Sequence, residues 1–261
     1  MEVIILDIGG PMAHFRKFFA NNTAFSYTIP PRTTLMGMLA ALAGWEKGSY
    51  HEAFSCGRLR LSVELRSDIK KQFHRMNYLM IKSKEDFQGG RHPHIQTPFE
   101  VISGQDLHRD LVSYRLYIAA GDQNSGDYEN LKEVLLQRNF QYALTLGPAF
   151  MSASILDVQV AQARKITNHG GNQLHFHSAM QGDSVEQLAL EIDERTGEVL
   201  QLEEEMMPAE FKANHDREVS QMIRTLYSSG SHALSVHLKP EATYYELSDG
   251  EGKVYNIQFL E

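Results

Sequence analysis

The sequence predicts an α+β fold: a βαββαβ core, a long basic insertion and a mainly β C-terminal extension. Three observations predict it. Four short runs have the length and pattern of strands: Val3–Ile8, Arg58–Leu65, Val112–Ala119 and Met151–Val160. Two stretches have helical spacing, one following Pro30–Pro31 and one at Tyr128–Arg138. The connection from Arg66 to about Leu111 exceeds an ordinary loop, which predicts a functional insertion or a hairpin of its own.

Each element follows from local chemistry. VIILDI is an apolar run that reads as a buried strand, broken by Gly9–Gly10–Pro11. Thr33 or Thr34 is the expected cap of the next helix and Gly44 its left-handed C-terminal residue. Leu35–Ala43 is apolar or small throughout, so this helix is expected to be buried on most sides. RLRLSVEL alternates, predicting a half-exposed strand with Leu59, Leu61, Val63 and Leu65 inward and Arg58 and Arg60 opposite. VSYRLYIA places Ser113, Arg115 and Tyr117 on one face. After the polar loop GDQNSGD, Leu131, Val134, Leu135 and Arg138 mark a short amphipathic helix. The order is that of a ferredoxin-like (RRM-like) core over residues 1–160, with the insertion at about 66–111 and an extension over 161–261 packed on it. In the extension, Leu188–Ile192 and Val199–Leu202 flank ERTGE as a hairpin, and the charged stretch Asp216–Tyr227 predicts a helix. Ala233–Leu238, Tyr244–Leu247 and Val254–Phe259 read as closing strands, with SDGEGK as a turn.

Composition narrows the function classes. The single Cys56 leaves no internal disulfide and no multi-cysteine zinc site, as in a reducing cytoplasm. The start MEVIILDIGG is acidic and only briefly apolar, unlike a signal peptide, and Leu35–Trp45 is too short to span a bilayer. A cytoplasmic protein without membrane contact is therefore expected. The net charge of -8 argues against a free-standing nucleic-acid binder. Its distribution is uneven: nine Lys/Arg against four Asp/Glu between Arg58 and His94, and three against twelve between Gln181 and Glu218. That asymmetry predicts one face for RNA and another for solvent or a basic partner; alternatively, runs such as Glu203–Glu205 are simply solvated.

The most informative stretch is FRKFFANNTAFSYTIPPRTTLMGMLAALAG, Phe15–Gly44. Helix N-termini carry unpaired N–H groups and the positive end of the dipole, so Arg32, Thr33 and Thr34, with Arg16 and Lys17 upstream, could place phosphate-binding groups there. The competing reading is a capped core helix. In the insertion, Lys70, Lys71, Arg75, Lys82, Lys84 and Arg91 alternate with Phe73, Tyr78 and Phe87: cations for phosphates, aromatic faces for unpaired bases. His169, His175 and His177 lie in HGGNQLHFH and His92 and His94 flank Pro93, but without an identifiable partner ligand they predict no metal site, and no cofactor is expected. Walker, dinucleotide, HExxH and GxSxG motifs are absent.

The N-terminal strand and TAFSYTIPPRTTLMGMLAALAG resemble the start of the Cas-five family of CRISPR-associated RAMP proteins, as do IQTPFEVI with LVSYRLYI and YALTLGPAFMSASI. DREVSQMIRTLYSSG resembles the family loosely, and the balance of features is nearest the type I-B branch. The resemblance implies a non-catalytic Cascade subunit that caps the repeat-derived 5′ tag of the guide RNA (crRNA). It also implies contacts with the large subunit and the adjacent backbone subunit, target DNA reached through the complex, and an RNA-facing thumb hairpin in the insertion. The matching N-terminal motif carries His14, Arg16, Lys17, Tyr27, Arg32 and Thr33, and the thumb adds Lys70, Lys71, Arg75 and Arg91. Gly147 in LGPAF predicts a positive-φ turn or a close backbone approach. A second implication is a metal-independent endoribonuclease, as in type I-C relatives that use tyrosine, lysine and histidine with the last two adjacent. This chain has no Lys-His dipeptide, which leaves Tyr27 with His74 or His92 as an alternative pairing.

Overall fold

The computed structural model describes residues 1–20, 22–79, 83–84, 94–124, 126–193, 197, 199–212, 217–248 and 254–261. The chain enters through β1 (Glu2–Gly10), β2 (Met12–Ala13), β3 (Phe15–Arg16) and β4 (Ser26–Tyr27), then α1 (Arg32–Leu42) and β5 (Leu59–Leu65). The insertion is a hairpin of β6 (Ile69–Leu79) and β7 (His94–Gly104). Next come β8 (Val112–Ala120), α2 (Asp127–Gln137) and β9 (Ser154–Thr167), which runs across residue 160. The remainder holds β10 (Gln173–Phe176), β11 (Met180–Gln181), β12 (Val185–Leu188), β13 (Leu202–Phe211), β14 (Val219–Ser228), β15 (Leu234–Leu238), β16 (Thr243–Ser248) and β17 (Val254–Ile257).

These elements make a mixed α+β protein dominated by strands. The main sheet has nine strands among the described residues, in the order β12-β15-β10-β17-β16-β9-β1-β8-β5. β1 is flanked by antiparallel β8 and β9, with Ile4 opposite both Ile118 and Val160. A strand covered on both faces needs apolar residues on both, which is why VIILDI shows no alternation. The largest core cluster lies between this sheet and the two helices and includes Ile4, Leu6, Leu35, Leu39, Leu61, Leu116 and Leu131. Gly44 takes φ +79° just past α1, as a left-handed C-terminal residue.

Several expectations are corrected. The N-cap of α1 is Pro31, with no side-chain cap hydrogen bond; Thr33 and Thr34 sit inside the first turn. Proline's fixed φ and missing N–H make it a serviceable helix start, so no threonine cap is required. β5 is not half-exposed. Ser62 and Glu64 on its second face are buried, and its free edge is covered where Ala179 and Leu260 donate to the Val63 and Leu61 carbonyls at 2.7 and 2.9 Å. The stretch predicted as a helix at Asp216–Tyr227 is strand β14. Val219, Ile223 and Tyr227 fit a helical stripe by their i, i+4 spacing, but they equally share one face of a strand, and pairing along β13 decides between the two. The 188–202 hairpin is reduced to an isolated Ile192–Val199 bridge; Glu194–Thr196, and residues 249–253 of the SDGEGK turn, lie outside the described residues.

Candidate nucleic-acid interface

The three stretches that stood out in the sequence meet around one cavity of about 900 Å³. His14 and Arg16 come from the segment after β1, Thr33, Thr34, Gly37, Met38 and Ala41 from one side of α1, Tyr78 and Phe99 from the hairpin, and Tyr142–Thr145 with Gly147 and Pro148 from the segment leading into and through the LGPAF turn. Trp45, Glu46, Lys47 and Tyr50 follow α1, while Phe211 and Arg217 reach in from the extension.

The rim is clamped by backbone geometry. His14 N–H donates to Leu146 O at 3.0 Å, and Leu146 N–H to Met151 O at 2.8 Å. Gly147 has φ +108°, and a Cβ there would collide with the His14 carbonyl oxygen. Both features expected of this glycine are therefore present, and they serve to hold the turn against the N-terminal segment. His14 stacks on Phe99 with ring centroids 3.9 Å apart, and its Nδ1 lies 2.7 Å from the Glu100 carbonyl oxygen. Burial pushes the imidazole below its ordinary pKa.

Among the described residues, seven Phe, Tyr and Trp rings border the cavity: Phe15, Trp45, Tyr50, Tyr78, Phe99, Tyr142 and Phe211. Among the described residues, three Lys/Arg side chains (Arg16, Lys47 and Arg217) border it against one acid, Glu46. Aromatic faces beside a net positive rim suit unpaired nucleotides: rings stack on bases while cations meet phosphates.

The other sequence candidates have different surroundings, because β13 lies along residues 27–33. Arg32 is a correction. It is fully buried, its Nη2 donates to Phe54 O and Leu59 O at 2.9 and 2.6 Å, and its Nη1 donates to Ala209 O at 3.1 Å. Its side chain holds α1, β5 and β13 together and is turned away from solvent. Tyr27 is also buried, donating its phenol to Met206 O at 3.0 Å, with its pKa pushed up to about 12 by burial. Thr33 hydroxyl donates to Pro208 O at 3.5 Å while the residue still lines the cavity. Lys17 is ion-paired with Glu205 and lies over the Tyr27 ring. The start of α1 is thus a docking strip for β13, and the capped-core reading of that stretch describes Arg32 better than the anion-site reading.

On the hairpin, the antiparallel register separates the basic residues onto two faces. Lys70, Gln72, His74, Met76 and Tyr78 share the side of Phe99; Lys71, Phe73 and Arg75 share the other. Lys70 donates to Gln105 O at 2.7 Å, and Lys71 is 3.5 Å from Glu203. Arg75 is exposed. Phe73 packs edge-on against Phe25. Arg91, Lys82, Phe87 and His92 lie outside the described residues. The acidic run is engaged rather than solvated: Glu203 accepts from Thr28 and Tyr227 at 2.7 and 2.9 Å. His175 Nδ1 meets Ser235 Oγ at 2.8 Å, and His177 packs against Tyr255. Among the described residues no group of three His, Cys, Asp or Glu could hold a metal, and no helix is long and apolar enough to cross a membrane.

Sequence reasoning missed Trp45, Lys47, Tyr50, Tyr142, Phe211 and Arg217. Tyr142 and Arg217 both lie in motifs quoted from the sequence, YALTLGPAFMSASI and DREVSQMIRTLYSSG.

A family model described as CRISPR-associated protein (Cas_Cas5) matches residues 3–122. Over those residues the chain is similar to the Cas5 family. The matched segment runs from β1 past β8, so it contains the N-terminal, α1 and hairpin walls of the cavity; the LGPAF rim and Arg217 lie beyond it. A crystal structure of a CRISPR protein from Archaeoglobus fulgidus aligns with a TM-score of 0.58 at 12% identity, over 98% of this chain and 99% of that one. A chain of a CRISPR RNA-guided surveillance complex aligns with a TM-score of 0.51 at 13% identity, over 90% and 91%. At such identities the likeness is one of fold, and it carries beyond the Cas5 match into the extension. No curated protein matches the sequence.

Proposed function

We propose that this chain is a non-catalytic subunit of a CRISPR surveillance complex, one that holds the repeat-derived 5′ tag of the guide RNA in the cavity between α1, the β6–β7 hairpin and the LGPAF turn. The aromatic, net-positive lining of that cavity carries the reading. The Cas5 match and the fold shared with a surveillance-complex chain support it. The strand order β9-β1-β8-β5 with α1 and α2 supports a ferredoxin-like core, and the hairpin acts as its thumb. The large subunit, the adjacent backbone subunit and, through them, target DNA are the partners this role requires. Base pairing by the guide then reads the target, and this chain supplies position and charge.

The test is RNA binding by the purified chain as a function of salt. Replacing Arg16, Lys47 and Arg217 together with alanine is expected to flatten the slope of log affinity against log salt by about 2, near 0.7 per phosphate on a single strand. An unchanged slope would remove the cavity from the RNA path. Cleavage of precursor guide RNA by the wild-type chain would instead establish the endoribonuclease reading, for which Tyr27, with its hydroxyl bonded to Met206 O, is poorly placed.

A further inference from the structure

We propose that His14 reads the edge of an unpaired base in this cavity, accepting a hydrogen bond at Nε2 from an N–H of that base. The inference rests on the proposed RNA role of the cavity and adds a specificity-determining residue to it. A carbonyl oxygen only accepts, so the 2.7 Å contact with Glu100 O places the ring proton on Nδ1. In the neutral ring Nε2 is then a lone-pair acceptor. It is buried and has no hydrogen-bond partner among the described residues, in a side chain that lines the cavity and is 3% exposed.

The ring is not free to turn away. Phe99 stacks on it, the Glu100 carbonyl holds one edge, and the His14 backbone is fixed by Leu146 and Gly147. Burial, the largest effect, acts with Arg16 against protonation and outweighs the backbone hydrogen bond and charge of Glu100, so the imidazole is held below its ordinary pKa and is neutral near pH 7. A rigid, buried acceptor left unmade is unfavourable, and a ligand donor that reaches it is favoured over an isostere without one. Cations at the rim have no such preference, because phosphates are the same in every sequence.

The experiment selects a randomised RNA decamer pool on the full-length wild-type chain and on H14F, then sequences the bound fraction. The wild type is expected to enrich one base at one position about tenfold, the usual order for a single unpaired polar partner. H14F should lose that preference with an unchanged salt slope. Replacing the preferred base by an analogue lacking the N–H donor should weaken wild-type binding about tenfold and leave H14F unaffected. H14Q, which keeps an acceptor, should regain part of the preference, and carries the comparison should H14F fail to fold. Identical preferences in wild type and variants would overturn the role of His14 while leaving the RNA cavity standing. Absence of RNA binding by the wild type at low salt would overturn both.

Discussion

Arg32 carries five N–H donors in a rigid fork, and the three bonds they make to oxygen all go to the protein's own backbone, while Nε has no hydrogen-bond partner among the described residues. Three carbonyls from three separate segments, Phe54, Leu59 and Ala209, accept from it, and Glu210 stands 3.9 Å away. Alanine would leave those carbonyls buried without a donor and open a void beside Met36. R32A is expected to lose about 3–5 kcal/mol of stability in denaturant unfolding. Measured below its melting transition, its salt slope for RNA should equal that of the wild type. A flattened slope with normal stability would return Arg32 to the phosphate contacts. Arg16 shows the opposite case: exposed at the cavity rim, with one hydrogen bond to Ala20 O at 3.1 Å. Two arginines of one motif thus have different roles, and the difference is the depth to which tertiary packing takes each one.

At the scale of elements, β13 decides how much positive charge the protein shows. Its Glu203 and Glu205 meet Lys71 of the hairpin and Lys17 of the N-terminal segment. Each pair is partly exposed, so it contributes modestly to stability but withholds a lysine from other anions. Replacing both glutamates by glutamine keeps acceptors for Thr28 and Tyr227 while removing the charge. E203Q/E205Q is expected to bind RNA more tightly, with a salt slope steeper by about 1.4, two added phosphates at 0.7 each. Equal slopes for variant and wild type would mean that Lys17 and Lys71 face no RNA. The length of the 66–111 connection pointed to a functional insertion or a hairpin, and the structure makes it a hairpin. Its partition into two faces follows from register, with Phe73 opposite Glu100 and His74 opposite Phe99, and register belongs to pairs of strands.

For the whole molecule, the C-terminal residues complete the core. β5 would be an open edge without Ala179 and Leu260, and Met207, Ala209, Ile223 and Tyr227 belong to the same cluster as α1. Tyr114 donates to Thr28 O, and Thr28 in turn donates to Glu203 of β13, linking the central sheet to the extension through the N-terminal motif. A chain ended after β9 is therefore expected to expose an apolar face over α1 and to aggregate or remain without a cooperative thermal transition. A sharp transition and dispersed amide resonances in residues 1–167 alone would show that the first part folds without the rest.

By itself the sequence determined the central strands, both helices, an insertion too long for an ordinary loop and the special place of Gly147, because each rests on local signals: apolar runs, helical spacing, connection length and a backbone conformation that glycine favours. It also marked three motifs as belonging together. Only the tertiary structure decided what the motif residues face. Sequence periodicity cannot distinguish a cation aimed at a ligand from one aimed at a carbonyl, and the charged stretch read as a helix is strand β14, whose apolar spacing fits both. The arrival of β13 over residues 27–33, a contact between segments about 180 residues apart, turned Arg32 and Tyr27 inward, while packing against β7 gave His14 one bonded ring nitrogen and left the other without a partner among the described residues.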